Sequence, residues 1–174
     1  MHNVTLETDR LILRPLSVAD ANAVFVWASD PEVNRYMSYP LHTDVETTRQ
    51  WLRSVEQRSE EDYEFGFVRK SDGLLIGSGN IGPDSREPGV WGFGYNLRRE
   101  CWGLGYATEA AKAMIDFART RRGAKVFAAH HAVDNPASGR VMEKCGLTFH
   151  HDGEYSKFDG SETFPAKFYR LELP

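Results

Sequence analysis

The sequence predicts one α/β domain of the α+β kind, built on a mixed sheet that is partly antiparallel. Three observations carry this. Short runs with apolar residues at alternate positions recur along the chain, from Thr5 to Leu173. Two glycine turns, Ser71-Asp72-Gly73 and Asp159-Gly160, join successive runs and so pair them antiparallel. Between the fourth and fifth runs lies a helical stripe of Ala107, Ala110, Ala111, Met114, Ile115 and Ala118. A chain of 174 residues is long enough to bury a sizeable core. No repeat, low-complexity tract or linker divides it, so residues 1–174 read as a single domain.

Each element follows from its own residues. Thr5 to Leu16 is a strand, with Leu11 and Leu13 alternating with Arg10, Ile12 and Arg14. Ser17 is placed to cap a helix that turns Ala21, Val24, Phe25 and Ala28 inward. Asp30-Pro31 opens a short turn or helix through Tyr36, and Thr43 or Asp44 starts a helix carrying Thr48, Trp51, Leu52 and Val55. Tyr63 to Val68 and Leu74 to Ile81 are strands, and Pro83 to Gly89 is a loop. Val90 to Leu97 is a strand with Trp91, Phe93 and Tyr95 on one face and Gly92 and Gly94 on the other. Two glycines on one face mark a bulge or a close backbone approach. The stripe from Gly105 packs a helix on the sheet until Gly123 ends it. Lys125 to His131 is a strand. Asn135 and Pro136 then begin a helix as cap and first residue, closed by Gly146. Leu147 to Tyr155 and Thr163 to Leu173 are the last strands.

Composition excludes several classes of function. The net charge of −4 leaves no footprint for nucleic acid, and the Arg119–Lys125 cluster reads as cations at a helix C-terminus. No apolar run approaches the roughly 18 residues of a membrane span, and no signal-peptide pattern opens the chain. Cys101 and Cys145 make neither a disulfide framework nor a metal set. The pairs His130-His131 and His150-His151 lack helical metal-ligand spacing. A reduced, cytoplasmic protein with no metal, nucleic-acid or membrane partner is expected.

The informative stretch runs from Leu97 into the long helix. Gly103 and Gly105 stand where strand becomes helix, as Trp102-Gly103-Leu104-Gly105-Tyr106-Ala107-Thr108-Glu109-Ala110. Glycine lets backbone amides approach a ligand, and a helix's first turn carries free N–H groups and partial positive charge. Together they form a phosphate cradle. A P-loop would continue with Lys-Ser/Thr after its last glycine, but Tyr106 follows Gly105. A dinucleotide fingerprint needs a small residue where Thr108 stands and an acidic residue on the next strand, where Lys125 to Ala129 has none.

A third kind of cradle holds the pyrophosphate of coenzyme A, and here the run resembles the GNAT acyl-CoA N-acetyltransferases. Their signature is Gln/Arg-x-x-Gly-x-Gly/Ala; Gly103 and Gly105 match it, and Glu100 stands in the Gln/Arg position, a departure common in one branch. The longer string from Glu100 to Ala111 is similar to the branch that acetylates ribosomal-protein N-termini, as is Thr8-Asp9-Arg10-Leu11-Ile12-Leu13-Arg14-Pro15. Asn135, Ser138 and Glu143-Lys144-Cys145-Gly146 match the same branch, with Leu147 replacing its usual Phe. The resemblance spans nearly the whole chain.

It implies a mostly antiparallel sheet of about seven strands flanked by about four helices, with acetyl-CoA as co-substrate and a primary amine as acceptor. The amine is a protein N-terminus or a small molecule. The acyl arm fills a gap where the glycine-bearing strand splays from its neighbour. The implied cofactor residues are Tyr95, Leu97, Arg98, Arg99, Trp102, Gly103, Leu104, Gly105, Tyr106, Ala107, Asn135 and Ser138. Ser138 and Asn135 are the implied catalytic pair, with the hydroxyl serving the leaving sulfur. Tyr36 and Trp91, with Tyr39 and Trp51, are candidates for the acceptor wall. A homodimer through terminal strands is an implied option. Two departures stand out: the Glu usual before the cradle is Gly92, and the usual Tyr acid is Met142. The base is then Glu87, a histidine or water. An α-amine, with a pKa of about 7.7–8.0, needs less help than a lysine at about 10.4. The two departures keep a non-catalytic acyl-CoA sensor as the main alternative, with a dinucleotide-binding oxidoreductase behind it.

Overall fold

The computed structural model describes residues 2–174. Its strands are β1 (Leu6–Glu7), β2 (Leu11–Pro15), β3 (Tyr63–Arg69), β4 (Leu75–Pro83), β5 (Val90–Leu97), β6 (Val126–Ala132), β7 (Thr148–Ser156) and β8 (Thr163–Glu172). They form one sheet in the order β1-β2-β3-β4-β5-β6-β8-β7. Every neighbouring pair is antiparallel except β5 and β6. The helices are α1 (Ala21–Ala28), α2 (Pro31–Asn34), α3 (Val45–Glu56), α4 (Tyr106–Arg122) and α5 (Pro136–Lys144). The mixed, mostly antiparallel sheet is the expected one, with eight strands and five helices where about seven and about four were expected. The extra strand arises because Thr5 to Leu16 is not one run. The Thr8 N–H bonds back to the Leu11 carbonyl at 2.9 Å, and this turn cuts off β1.

The sheet separates two layers. One face of β3, with Tyr63, Phe65 and Phe67, packs with Ile81, Trp91, Phe93, Met114 and Phe117 under α4. The opposite face meets α1 and α3 through Leu16, Val24, Trp27, Leu52 and Leu75. In α1 the buried residues are Ala21, Val24, Trp27 and Ala28. Trp27 replaces the expected Phe25, because Ala21, Val24, Trp27 and Ala28 recur at the helical spacing that puts them on one face. Ser17 precedes a 3-10 turn, Val18–Asp20, and there the Asp20 carboxylate accepts the Ser17 N–H at 2.9 Å. Asp44 caps α3, accepting from Glu46 N (2.8 Å) and Thr47 N (3.1 Å).

Two stretches of sequence far apart meet at the head of α4. The Glu109 carboxylate accepts from Thr8 Oγ1 (2.6 Å), from the Arg10 N–H (2.8 Å) and from Arg10 Nε (2.7 Å). Arg10 also donates Nη1 to the Leu104 carbonyl at 2.9 Å, and its guanidinium lies 4.2 Å from the centre of the Tyr106 ring. The β1–β2 turn is thereby fastened to the glycine loop.

Candidate active site

The glycine loop adopts the geometry its sequence demands. Arg99–Cys101 form a 3-10 turn after β5, and Gly103 and Gly105 then take φ of 73° and 84°. These left-handed values favour glycine. Gly105 is the N-cap of α4 and has no side chain to cap it. Among the described residues, the N–H groups from Gly103 to Thr108 find no protein acceptor. Such a row of orphan donors at the positive end of a helix dipole is fitted to an anion.

The β5–β6 pairing is brief. Only Val90, Trp91 and Gly92 are in register with Val126, Phe127 and Ala128. From Phe93 onward β5 is paired through β4 alone, so its other edge lines an open splay. The head of α5 closes the far side of this gap. Asn135 sits at the N-cap with its backbone at φ −117° and ψ 65°, and its side chain makes no cap hydrogen bond. The expected side-chain cap is therefore absent, and the amide is left to face the cleft. Ser138 meets Tyr95 across the splay. The Tyr95 hydroxyl donates to the Ser138 carbonyl at 3.0 Å and lies 2.9 Å from Ser138 Oγ. Burial pushes the Tyr95 phenol up from its ordinary value.

Strand register puts the rest of the site in one row on the cleft floor. Glu64 of β3 pairs with Asn80 of β4, and Asn80 with Gly94 of β5. Beyond the splay, His130 of β6 pairs with Phe168 of β8, and Phe168 with His151 of β7. Glu64 is 8% exposed, and burial pushes its carboxyl up to about 7 even though Arg58 Nη1 lies 2.9 Å from Oε2. Burial lowers His130, with Arg86 and His131 adding to the effect, which favours the neutral imidazole.

The residues singled out from the sequence divide into three groups. Tyr95, Leu97, Trp102, Gly103, Ala107, Asn135 and Ser138 all line the cleft, as does Tyr36. Leu104 and Gly105 belong to the orphan-donor loop, and Tyr106 belongs there through its backbone only. The Tyr106 ring is 9% exposed and lies beneath Arg10. Arg98, Arg99 and Trp91 are engaged elsewhere. Arg98 Nε donates to the Leu75 carbonyl at 3.0 Å, and Arg99 pairs with Asp30 at 3.2 Å. Trp91 is a correction: its ring stacks on Tyr63 at 6.5 Å in the α4-side core, so it does not reach the acceptor cleft. Strand alternation had put Trp91 opposite Gly92, and that alternation sends the glycine to the cleft and the indole to the core. Sequence reading missed Glu64, Arg10 and the choice of His130. A lone Glu in an aromatic strand was the available signal for the first.

Comparison with known proteins agrees with this geometry. A family model described as "Acetyltransferase (GNAT) domain" matches residues 10–148. The uncharacterised N-acetyltransferase p20 of Bacillus licheniformis is 31% identical over 161 residues, covering 90% of this chain and 89% of that protein. A GNAT-family acetyltransferase from Bacillus anthracis superposes with a TM-score of 0.83 at 22% identity, over 97% of this chain and 98% of that one. The microcin C7 self-immunity acetyltransferase MccE, solved with acetyl-CoA and AMP, superposes with a TM-score of 0.80 at 17% identity, over 95% of this chain and 94% of that one. With the orphan amides, the splay and the matched domain agreeing, the chain belongs to the GNAT family and is an acetyl-CoA-dependent N-acetyltransferase.

Proposed function

We propose that this enzyme acetylates a primary amine by direct attack within a ternary complex, with Glu64 as proton acceptor and Ser138 as proton donor. The observation that carries the reading is the juxtaposition at the splay. Unpartnered amides head α4, β5 offers a free edge, and a buried carboxylate shares the floor. Acetyl-CoA supplies the activated acyl group as a thioester. The amides of Gly103 to Thr108 hold its pyrophosphate. N–H groups on the free edge of β5, from Phe93 to Leu97, face the oxygen on which negative charge develops. The Asn135 amide orients the pantetheine arm.

Glu64 lies two strands from the splay, with Asn80 and Gly94 between. It therefore receives the proton of the ammonium through water. A carboxyl poised near 7 suits that task at neutral pH. As nitrogen bonds to the acyl carbon and the carbon–sulfur bond breaks, the Ser138 hydroxyl gives a proton to sulfur and regains one, through water, from the nitrogen that becomes the amide. Tyr95 holds that hydroxyl in place. This assignment replaces Glu87 as a candidate base, because Glu87 is exposed and paired with Arg170 at 2.8 Å. The cysteines are unpaired, which supports a reducing compartment such as the cytoplasm.

The experiment is calorimetry with acetyl-CoA, using CoA and NAD as controls and Gly105→Trp as a blocked cradle whose folding is checked by its melting curve. Micromolar binding lost in Gly105→Trp, together with thiol release on adding amines, is expected. Binding without thiol release from any amine would sink the transfer step.

A further inference from the structure

The acceptor half of the cleft has two features that the transfer chemistry does not require. The first is a stack of rings. His151 lies on Phe168 with centroids 4.6 Å apart and planes at 10°, and Phe168 lies on His130 at 5.0 Å and 28°. The stack crosses three strands in register and stops at the splay. Across that gap from His130, β5 carries Gly92 and Gly94 on this face, with Asn96 beyond them. A Cβ on Gly92 would meet nothing within 4 Å, and one on Gly94 would meet only Asn80 Oδ1, at 3.1 Å. The position where a fourth ring would continue the stack is thus left without a side chain. The His130 nitrogens have no hydrogen-bond partner among the described residues, so they are available to a ligand.

The second feature is a strap. The tip of the β7–β8 hairpin is tied to the end of α2 and the segment that follows it. Lys157 Nζ donates to the Asn34 carbonyl (3.0 Å), Asn34 Oδ1 (3.1 Å) and the Met37 carbonyl (2.8 Å). The Phe158 N–H donates to the Ser38 carbonyl at 2.8 Å, and the Tyr155 hydroxyl to the Tyr36 carbonyl at 2.6 Å. Tyr155 also leans on His130, at 4.7 Å. A polypeptide offering its N-terminus must lead its following residues out past this bridge, whereas a small molecule has no trailing chain. Both rim arginines already hold carboxylate partners, Arg86 with Asp84 (3.2 Å) and Arg170 with Glu87 (2.8 Å).

We infer that the acceptor is a small planar amine, an aryl or heteroaryl ring bearing a primary amine on a short arm, stacked on His130 under the strap. The inference rests on the acetyltransferase reading. It also narrows that reading, since it favours a free small molecule over a protein N-terminus. Ring stacking of this kind is worth about 0.5–1.5 kcal/mol, or roughly threefold to tenfold in affinity.

The test compares 2-phenylethylamine, 2-cyclohexylethylamine, butylamine and an Ala-initiated hexapeptide as acceptors, by thiol release and product mass. Acetyl-CoA affinity is measured in parallel. The aryl amine is expected to show kcat/KM roughly threefold to tenfold above the cyclohexyl amine of similar size. His130→Leu should erase that preference by raising KM for the aryl amine while leaving acetyl-CoA affinity unchanged. Lys157→Met should raise turnover of the hexapeptide by loosening the strap. Equal use of the aryl and cyclohexyl amines, a better rate with the peptide, or no turnover of the aryl amine by protein that binds acetyl-CoA would each overturn the inference. The first two of these would leave the acetyltransferase reading intact. Failure to bind acetyl-CoA would instead overturn that reading itself.

Discussion

Replacing Glu109 by Gln tests whether the two separated sequence strings act as one device. The carboxylate is 18% exposed and takes three hydrogen bonds, from Thr8 Oγ1, the Arg10 N–H and Arg10 Nε. Glutamine keeps one acceptor oxygen, which satisfies Thr8 and the Arg10 amide. Its NH2 then confronts Arg10 Nε, donor against donor. The lost charge-assisted bond is worth about 1.5–3 kcal/mol if fully buried. Arg10 is 44% exposed, so solvent recovers much of this and about 1–2 kcal/mol remains. For a chain of this size that is a fall in Tm of roughly 2–8 °C.

Burial pushes the Glu109 carboxyl up, but the bonds from Thr8 and Arg10 outweigh it and leave the group below its ordinary value. Its stabilisation is therefore present above the unfolded carboxyl pKa and lost as pH falls through the folded one. The Tm gap between wild type and Glu109→Gln should be full at pH 7 and shrink below about pH 4. Acetyl-CoA affinity should drop as well, because Arg10 braces the Leu104 carbonyl of the cradle. Calorimetric melts at the two pH values, with acetyl-CoA titrations, read all three effects. A Tm within a degree of wild type at pH 7 and an unchanged cofactor affinity would refute the coupling.

Two further outcomes are expected. Gly139→Ala should destabilise despite the roughly 1 kcal/mol that alanine gains in a helix, because its Cβ would lie 2.6, 3.1 and 3.2 Å from three atoms of the buried His131 ring. That ring is anchored by Nδ1–H to the Ala132 carbonyl at 2.7 Å, so in a His131→Ala background the same change should become stabilising, and denaturant melts of the four proteins would show no sign reversal if the clash were idle. In Glu64→Gln, kcat at saturating amine should fall by about a hundredfold and lose its rising limb near pH 7. Any limb that remains belongs to the amine, while an unaltered profile would remove Glu64 from proton transfer.

The local signals in this sequence were strong wherever a residue's conformation is dictated by its own chemistry. Gly103 and Gly105 announce left-handed backbone, and the structure puts both there at the head of α4. Pro136 opens α5 and Gly123 closes α4, as their dihedral preferences require. What stayed hidden was long-range register. Nothing near Glu64 says that two strands later Asn80 and Gly94 will extend its row to the splay, or that β8 will insert between β6 and β7 and bring Phe168 between two histidines. The pairs His130-His131 and His150-His151 each read as doublets, yet alternation splits the first. His130 joins the ring stack in the cleft, while His131 turns to the opposite face and packs on Gly139. The same alternation took Trp91 from the acceptor wall into the core and put Gly92 in the cleft. Gly92 also stands where the family resemblance led us to expect a Glu. On the proposed mechanism Glu64 of β3 serves from the same floor instead, and the space over Gly92 stays open. On that reading, the departure that made the sequence look catalytically incomplete is the one that opens room for the acceptor.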